Sequence, residues 1–246
     1  MSHYRDFYRK RTTEGETRPD SEEGLEHILE QMEPIPQGRL LDLGCYDGSK
    51  TLRVKGRVRA ADAYGIDFDR ERLETAARRG VVVSYADLNT DLPLSFPDAH
   101  FDLVVCSEVI EHLFSPDILL QEVHRLLKPQ GCALLTTPNL ASWKNRLVLL
   151  CGWQPFGTEV STRYLFGNPF ANGNPVRHIR MFTTRALEEA VRRYGFRLER
   201  LVGLSAPTSD TRVGRLSRLI DRTIVPHWPS LADRIVMRLG KVARIN

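Results

Sequence analysis

Several features that would place a chain in a common class are missing here. The four cysteines, Cys45, Cys106, Cys132 and Cys151, form no C-x-x-C pair and no metal-ligand spacing, which argues against a zinc module or a disulfide framework. Three of them sit in or beside apolar runs, where reduced buried thiols belong. The longest apolar run, around Leu147 to Cys151, falls far short of the roughly 20 residues that a membrane-spanning helix takes. The polar, charged start has no leader pattern, so a cytoplasmic protein is expected. No internal repeat is visible. The dinucleotide fingerprint G-x-G-x-x-G is also missing. After Gly44, Tyr46 and Ser49 stand where its second and third glycines belong, which counts against an NAD-dependent dehydrogenase.

What is present is one large α/β pattern. The 246 residues, 41% of them apolar, are enough for a full core. The net charge of +4 is compatible with RNA, an anionic lipid surface or neither. Residues 1 to 34 read as a tail and a lead-in helix. Tyr4, Phe7 and Tyr8 alternate with basic residues in the tail, and a loose terminus is favoured over an arm closing on substrate. Asp20 or Ser21 would cap a helix with apolar face Leu25, Ile28, Leu29 and Met32.

Residues 35 to 246 then alternate strands and helices. Strands are expected at Arg39–Leu43, Ala63–Ile66, Val81–Ala86, Phe101–Cys106, Cys132–Thr137 and Phe196–Leu204, and a last one near Ile235–Met237. A short helix is expected near Ser49–Val54. A second, capped by Asp69, buries Leu73, Ala76 and Ala77. Asp117–Leu127 and a helix capped by Thr183 or Thr184 follow, and Lys128–Gly131 reads as a turn. Strands alternating with helices predict a doubly wound, mostly parallel sheet, with ligands bound beyond the carboxyl ends of its strands. Residues 139 to 177 break the pattern. They are rich in Gly, Pro, Asn and aromatics (Trp143, Trp153, Phe156, Tyr164, Phe166, Phe170), with a helix-like piece Trp143–Leu150, and read as a lid or substrate insertion. Arg212–Ile224 is basic and amphipathic, with Arg212, Arg215, Arg218 and Arg222 opposite Leu216, Leu219 and Ile220. It is expected to pack on the sheet, with contact to acidic lipid at the inner membrane face as the lesser alternative.

From about Gly38 to Gly203 the chain resembles the class I S-adenosylmethionine (SAM) methyltransferases. The motifs come in order: LLDLGCYDG, YGIDFD, ADL, FDLVVCSEVIEHL, LKPQG and LLTTPN. The resemblance implies a seven-stranded Rossmann-like sheet with an insertion after strand five, and SAM as cofactor. Gly44 would lie under the methionine part of SAM, with Asp42 shaping that end. Asp67 would accept from the ribose hydroxyls, and Phe68 would pack beside the adenine. Asp87 and Leu88 would contact the adenine amino group and edge, and Ser107 would line the cofactor near its sulfonium. One departure stands out: the family's usual glycine between Cys45 and Asp47 is Tyr46, which carries a cost if that position needs positive φ and otherwise fills space beside the methionine tail.

Methyl transfer to a hydroxyl needs a base or a metal at the acceptor oxygen. If the segment after strand four is helical, Glu108, Glu111 and His112 fall on one face, and His178 follows the insertion. Two subfamilies share that layout. In O-methyltransferases of quinone, glycan and other small-molecule pathways, His112 or His178 would be the base. In metal-dependent RNA 2′-O-methyltransferases, Glu108, Glu111, His112 and His178 would hold Mg²⁺ or Mn²⁺. The residues Met181-Phe182-Thr183-Thr184 depart from the RNA pattern, and the insertion is aromatic rather than basic. A small-molecule, glycan or lipid-linked acceptor is therefore favoured over nucleic acid. A non-catalytic SAM-binding module is the alternative of another class.

Overall fold

The computed structural model describes residues 28–30, 32–168, 175, 177–205 and 212–242. The tail, the start of the lead-in helix with Leu25, and Phe170 lie outside the described residues. Seven strands form one sheet: β1 Arg39–Leu43, β2 Asp62–Asp67, β3 Val82–Tyr85, β4 Phe101–Ser107, β5 Leu127–Pro138, β6 Phe196–Leu204 and β7 Arg234–Lys241. Their order is β3-β2-β1-β4-β5-β7-β6. β7 runs antiparallel to both its neighbours, and the remaining pairings are parallel. The helices are α1 Ser49–Val58, α2 Arg70–Arg78, α3 Pro116–Leu126, α4 Trp143–Leu150, α5 Thr184–Arg193 and α6 Arg212–Thr223.

Strand alternation divides the core into two layers. Leu40, Leu103, Val105, Leu134 and Val236 point to one face, where Val54 and Val58 of α1 cover them together with Ile28 and Leu29. Leu41, Leu43, Val104, Leu135 and Met237 point to the other, under Leu119, Leu120 and Val123 of α3 and Leu187 and Val191 of α5. Each fully buried leucine or isoleucine contributes on the order of 1.5–3 kcal/mol, so both layers hold the same strand ends in register. Chain order reverses between β1 and β4, which makes that gap the switch point where open α/β sheets bind ligands.

Four local expectations change. α1 continues to Val58, because Gly56 sits in open space on its surface and the helix stops only where Arg59 turns left-handed at φ 52°. Ala77 is exposed rather than buried, since α2 packs through Leu73 and Ala76. Lys128–Gly131 forms a bulge within β5 rather than a turn before it: Phe101 pairs with Leu127, and the ladder resumes at Leu103 with Cys132. α6 does not lay its leucines on the sheet. It buries Gly214 and Ser217 and leaves Leu216 and Leu219 more than half exposed. Asp221 fastens it to α4, accepting from Trp143 Nε1 at 2.8 Å and pairing with Lys144 at 3.2 Å. No helix of the described residues is long and apolar enough to cross a membrane.

Candidate functional site

The turn after β1 is shaped by two left-handed glycines, Gly44 at φ 77° and Gly48 at φ 76°. A Cβ at Gly44 would come within 2.5 Å of Val109 Cγ2 and one at Gly48 within 2.9 Å of Ala76 Cβ, so both positions need glycine for space as well as conformation. Gly44 and Cys45 donate to the Ile66 carbonyl at 2.8 and 3.0 Å, pinning the turn to β2. Beneath it Asp42, 2% exposed, accepts from Thr51 Oγ1 at 2.7 Å. Burial raises its carboxyl to about 6, against the pull of Lys50 and Thr51.

The other carboxylates follow along the strand ends. Asp67 closes β2 and accepts from the Tyr46 N–H at 2.9 Å on Oδ2 and from the Asp69 N–H at 3.0 Å on Oδ1. Burial raises its carboxyl. It does not cap α2, because that role belongs to Asp69, which accepts from Glu71 and Arg72 N–H. Asp87, also buried, accepts from the Asn89 N–H at 3.0 Å in a loop with no helix behind it. Phe68 and Leu88 sit half-buried beside these acids. Ser107 closes β4, 5% exposed, with Thr136 Oγ1 and Lys50 Nζ each 2.9 Å from its Oγ. Tyr46 has φ 52°, so the left-handed cost is real, and its ring lies under the Arg72 guanidinium at 4.2 Å.

Past β4 the condition for a shared helical face is not met. Glu108 has φ 58°, its N–H extends the ladder to the Thr136 carbonyl at 3.0 Å, and only Ile110–His112 form a 3₁₀ turn. Glu108 and Glu111 therefore do not share a helical face. Glu108 accepts from Thr136 Oγ1 at 3.1 Å and meets Arg234 Nε at 3.5 Å. Glu111 is fully buried: Oε2 accepts from Thr137 Oγ1 at 3.0 Å, while Oε1 is without a hydrogen-bond partner. Burial, then the charge of Glu108, holds its carboxyl well above the usual carboxylate range.

His112 and His178 meet at this carboxyl. The N–H groups of Ile179 and Arg180 both bond the Glu111 carbonyl, at 2.8 and 2.9 Å, and bring the end of the insertion onto the turn. The two rings lie 5.0 Å apart. His112 Nδ1 is 3.0 Å from the Arg177 carbonyl, and His178 Nδ1 is 3.1 Å from the Gly157 carbonyl. A carbonyl only accepts, so each Nδ1 carries a proton, which leaves Nε2 as the nitrogen that can gain or lose one. His112 Nε2 stands 3.9 Å from Glu111 Oε1. One ligand atom from each of Glu111, His112 and His178 lies within 4.8 Å of the others, a set that could hold a divalent ion. Glu108 stands outside it, occupied by Thr136 and Arg234, so the expected four-ligand set reduces to three.

A family model described as "Methyltransferase domain" matches residues 16–201. The chain belongs to the class I SAM-dependent methyltransferase family. It is 28% identical over 160 residues to the ubiquinone biosynthesis O-methyltransferase of Idiomarina loihiensis, covering 61% of this chain and 62% of that one. The protein of the same name from Chromobacterium violaceum is 30% identical over 162 residues, 61% of this chain and 67% of that one. The chain thus spans under two thirds of the Idiomarina protein's length. An S-adenosylmethionine-dependent methyltransferase from Mesorhizobium loti shares the fold, at TM-score 0.56 and 20% identity over 87% of this chain and 96% of that one.

The residues present suit a bound SAM. Acids, a hydroxyl and a cation line the strand ends around the glycine turn. Sequence reasoning missed Lys50, Thr136, Thr137 and Arg234. Thr136 and Thr137 stood in the quoted LLTTPN motif without a role, and Lys50 stood two residues beyond Gly48. Only Arg234 had no signal, since its place beside Glu108 depends on β7 reversing direction.

Proposed function

We propose that this methyltransferase acts on a hydroxyl of a small-molecule, glycan or lipid-linked acceptor, with His112 as the base. SAM, when bound, supplies an electrophilic methyl group. Asp67, Phe68, Asp87 and Leu88 hold its nucleoside end in this reading, and Asp42, Gly44 and Ser107 its methionine end. The chain's own task is to orient the acceptor oxygen and take its proton. His112 Nε2 accepts that proton while Nδ1–H stays fixed on the Arg177 carbonyl. Glu111 Oε1, 3.9 Å from Nε2, faces the imidazolium that results. The single observation that carries the reading is the paired histidines, each with Nδ1 on a backbone carbonyl, against a buried carboxyl group with one unmet oxygen.

That unmet oxygen also supports a second reading, in which Glu111, His112 and His178 hold Mg²⁺ or Mn²⁺ that polarises the acceptor hydroxyl. The lipid-linked end of the acceptor range has its own support. Leu147, Leu149 and Leu150 on α4 and Leu216 and Leu219 on α6 are at least half exposed, with exposed Arg146, Arg215 and Arg222 on the same two helices. Such a surface suits an anionic bilayer.

Calorimetry with SAM and NAD⁺ separately, then turnover on one phenol or sugar hydroxyl presented free and on a lipid tail in anionic vesicles, tests all of this. The expected result is binding of SAM alone, loss of that binding in Asp67→Ala, and faster turnover of the vesicle-borne acceptor. NAD⁺ binding without SAM overturns the cofactor. SAM binding without turnover of any hydroxyl overturns catalysis in favour of a binding module. Loss of turnover in EDTA, restored by Mg²⁺ or Mn²⁺, selects the metal reading over the base.

A further inference from the structure

Lys50 is a cation at the candidate cofactor site that neither the motif nor the mechanism uses. It lies in the first turn of α1, two residues past Gly48, and its half-buried side chain crosses to the end of β4, where Nζ donates to Ser107 Oγ at 2.9 Å. β1 pairs with β4 through Asp42 with Val105 and Leu43 with Cys106, so Gly44 and Ser107 are next in line across the switch point. Lys50 spans that gap. An ammonium offers three donors, and the bond seen here goes to a neutral hydroxyl rather than to a carboxylate.

The strand ends are ordered Asp87, Asp67, Gly44, Ser107 from β3 to β4. With the nucleoside of SAM at the two acids, its amino-acid end falls over β1 and β4. That end carries the cofactor's single anionic group, the α-carboxylate. We infer that Lys50 is a cofactor-binding residue, its ammonium receiving the α-carboxylate of SAM while Ser107 Oγ steadies it. The inference rests on the SAM reading of the pocket. A charge-assisted hydrogen bond of this kind distinguishes ligands by their tail, because adenosine-only analogues have no group for it to hold. The competing role is structural: Lys50 lies near enough to Asp42 to draw its carboxyl toward ionisation, and could serve that acid alone.

The two roles separate by binding rather than by activity. Titrate S-adenosylhomocysteine, which has the amino-acid tail, and 5′-methylthioadenosine, which lacks it, into wild type, Lys50→Met and Lys50→Arg, with a thermal melt of each as a folding check. In Lys50→Met, S-adenosylhomocysteine affinity falls about 10- to 100-fold, the range for a hydrogen bond to a charged group. The affinity for 5′-methylthioadenosine stays within about twofold, and Lys50→Arg recovers part of the lost binding. Equal losses for both ligands, or no loss for either, overturn the inference in favour of the structural role. Wild type that binds neither ligand overturns the SAM reading itself, and the inference with it.

Discussion

Along the carboxyl edge of the sheet, the acids over β1 to β3 and those over β4, β5 and β7 are treated differently. Asp42, Asp67 and Asp87 are buried, and each accepts from a donor supplied by the turns next to it. Over the other half, Glu111 Oε1 and Arg234 Nη1 are buried without hydrogen-bond partners. An unmet buried polar atom costs roughly 1–3 kcal/mol, and such costs persist where the group has work to do. The first half is arranged before anything binds. The second carries its polar cost until a proton, ion or acceptor relieves it.

The largest effect that would sharpen this contrast is on turnover. His112→Ala is expected to lower kcat about 10²- to 10⁴-fold, the usual share of a general base. Its affinity for S-adenosylhomocysteine should stay within about twofold, since His112 stands against Arg177, His178 and Glu111 in the acceptor half. A parallel loss of cofactor affinity breaks the comparison and makes the edge one coupled unit.

The cost at Glu111 should also be visible as a pH dependence of stability. Its carboxyl is raised in the folded chain above its ordinary value of 4.5, so folding favours the protonated form. The stability this provides is fully present below about pH 4.5 and is lost as pH rises through the raised folded value. Glu111→Gln cannot titrate, so wild type should lose stability relative to the variant between pH 5 and pH 8. Urea unfolding at both values measures it. Asp42 shifts in the same direction, but it is present in both proteins and cancels. A difference that stays constant with pH removes Glu111 as a strained acid.

The cofactor half was legible because its signals are local. A strand ending in an acid, glycines at 44 and 48 and acids at 67 and 87 are each read within a few residues, and the sheet places them automatically. His112 and His178 were also legible as candidates, but their meeting depends on Ile179 and Arg180 reaching back 68 and 69 residues to one carbonyl. The helical option at Glu108 fell for a similar reason. Its N–H is claimed by Thr136 on the neighbouring strand, a contact that outweighs the local preference of a Glu-rich segment. The exposed leucines of α6 show the limit from the other side: periodicity found the amphipathic face, and only the ties from Asp221 to α4 reveal that it turns outward.

The smallest effect concerns Tyr46, where the well-satisfied half has a cost of its own. The residue sits at φ 52° with its N–H on Asp67 and its ring under Arg72. A left-handed L-residue costs roughly 1–2 kcal/mol, and a cation–π contact at a partly exposed site returns about 0.5–1 kcal/mol. Replacing tyrosine by alanine removes the ring contact and keeps the strain, whereas glycine removes both. Tyr46→Gly should therefore be more stable than Tyr46→Ala by about 1 kcal/mol, after allowing for the greater freedom of unfolded glycine. Thermal or urea unfolding of the two variants side by side measures this without reference to wild type. Alanine equal to or better than glycine would mean that the turn relaxes out of the left-handed region, and that Asp67 need not be held by a strained N–H. The cofactor half would then be less fixed in advance than its hydrogen bonds suggest, and the contrast with the acceptor half correspondingly weaker.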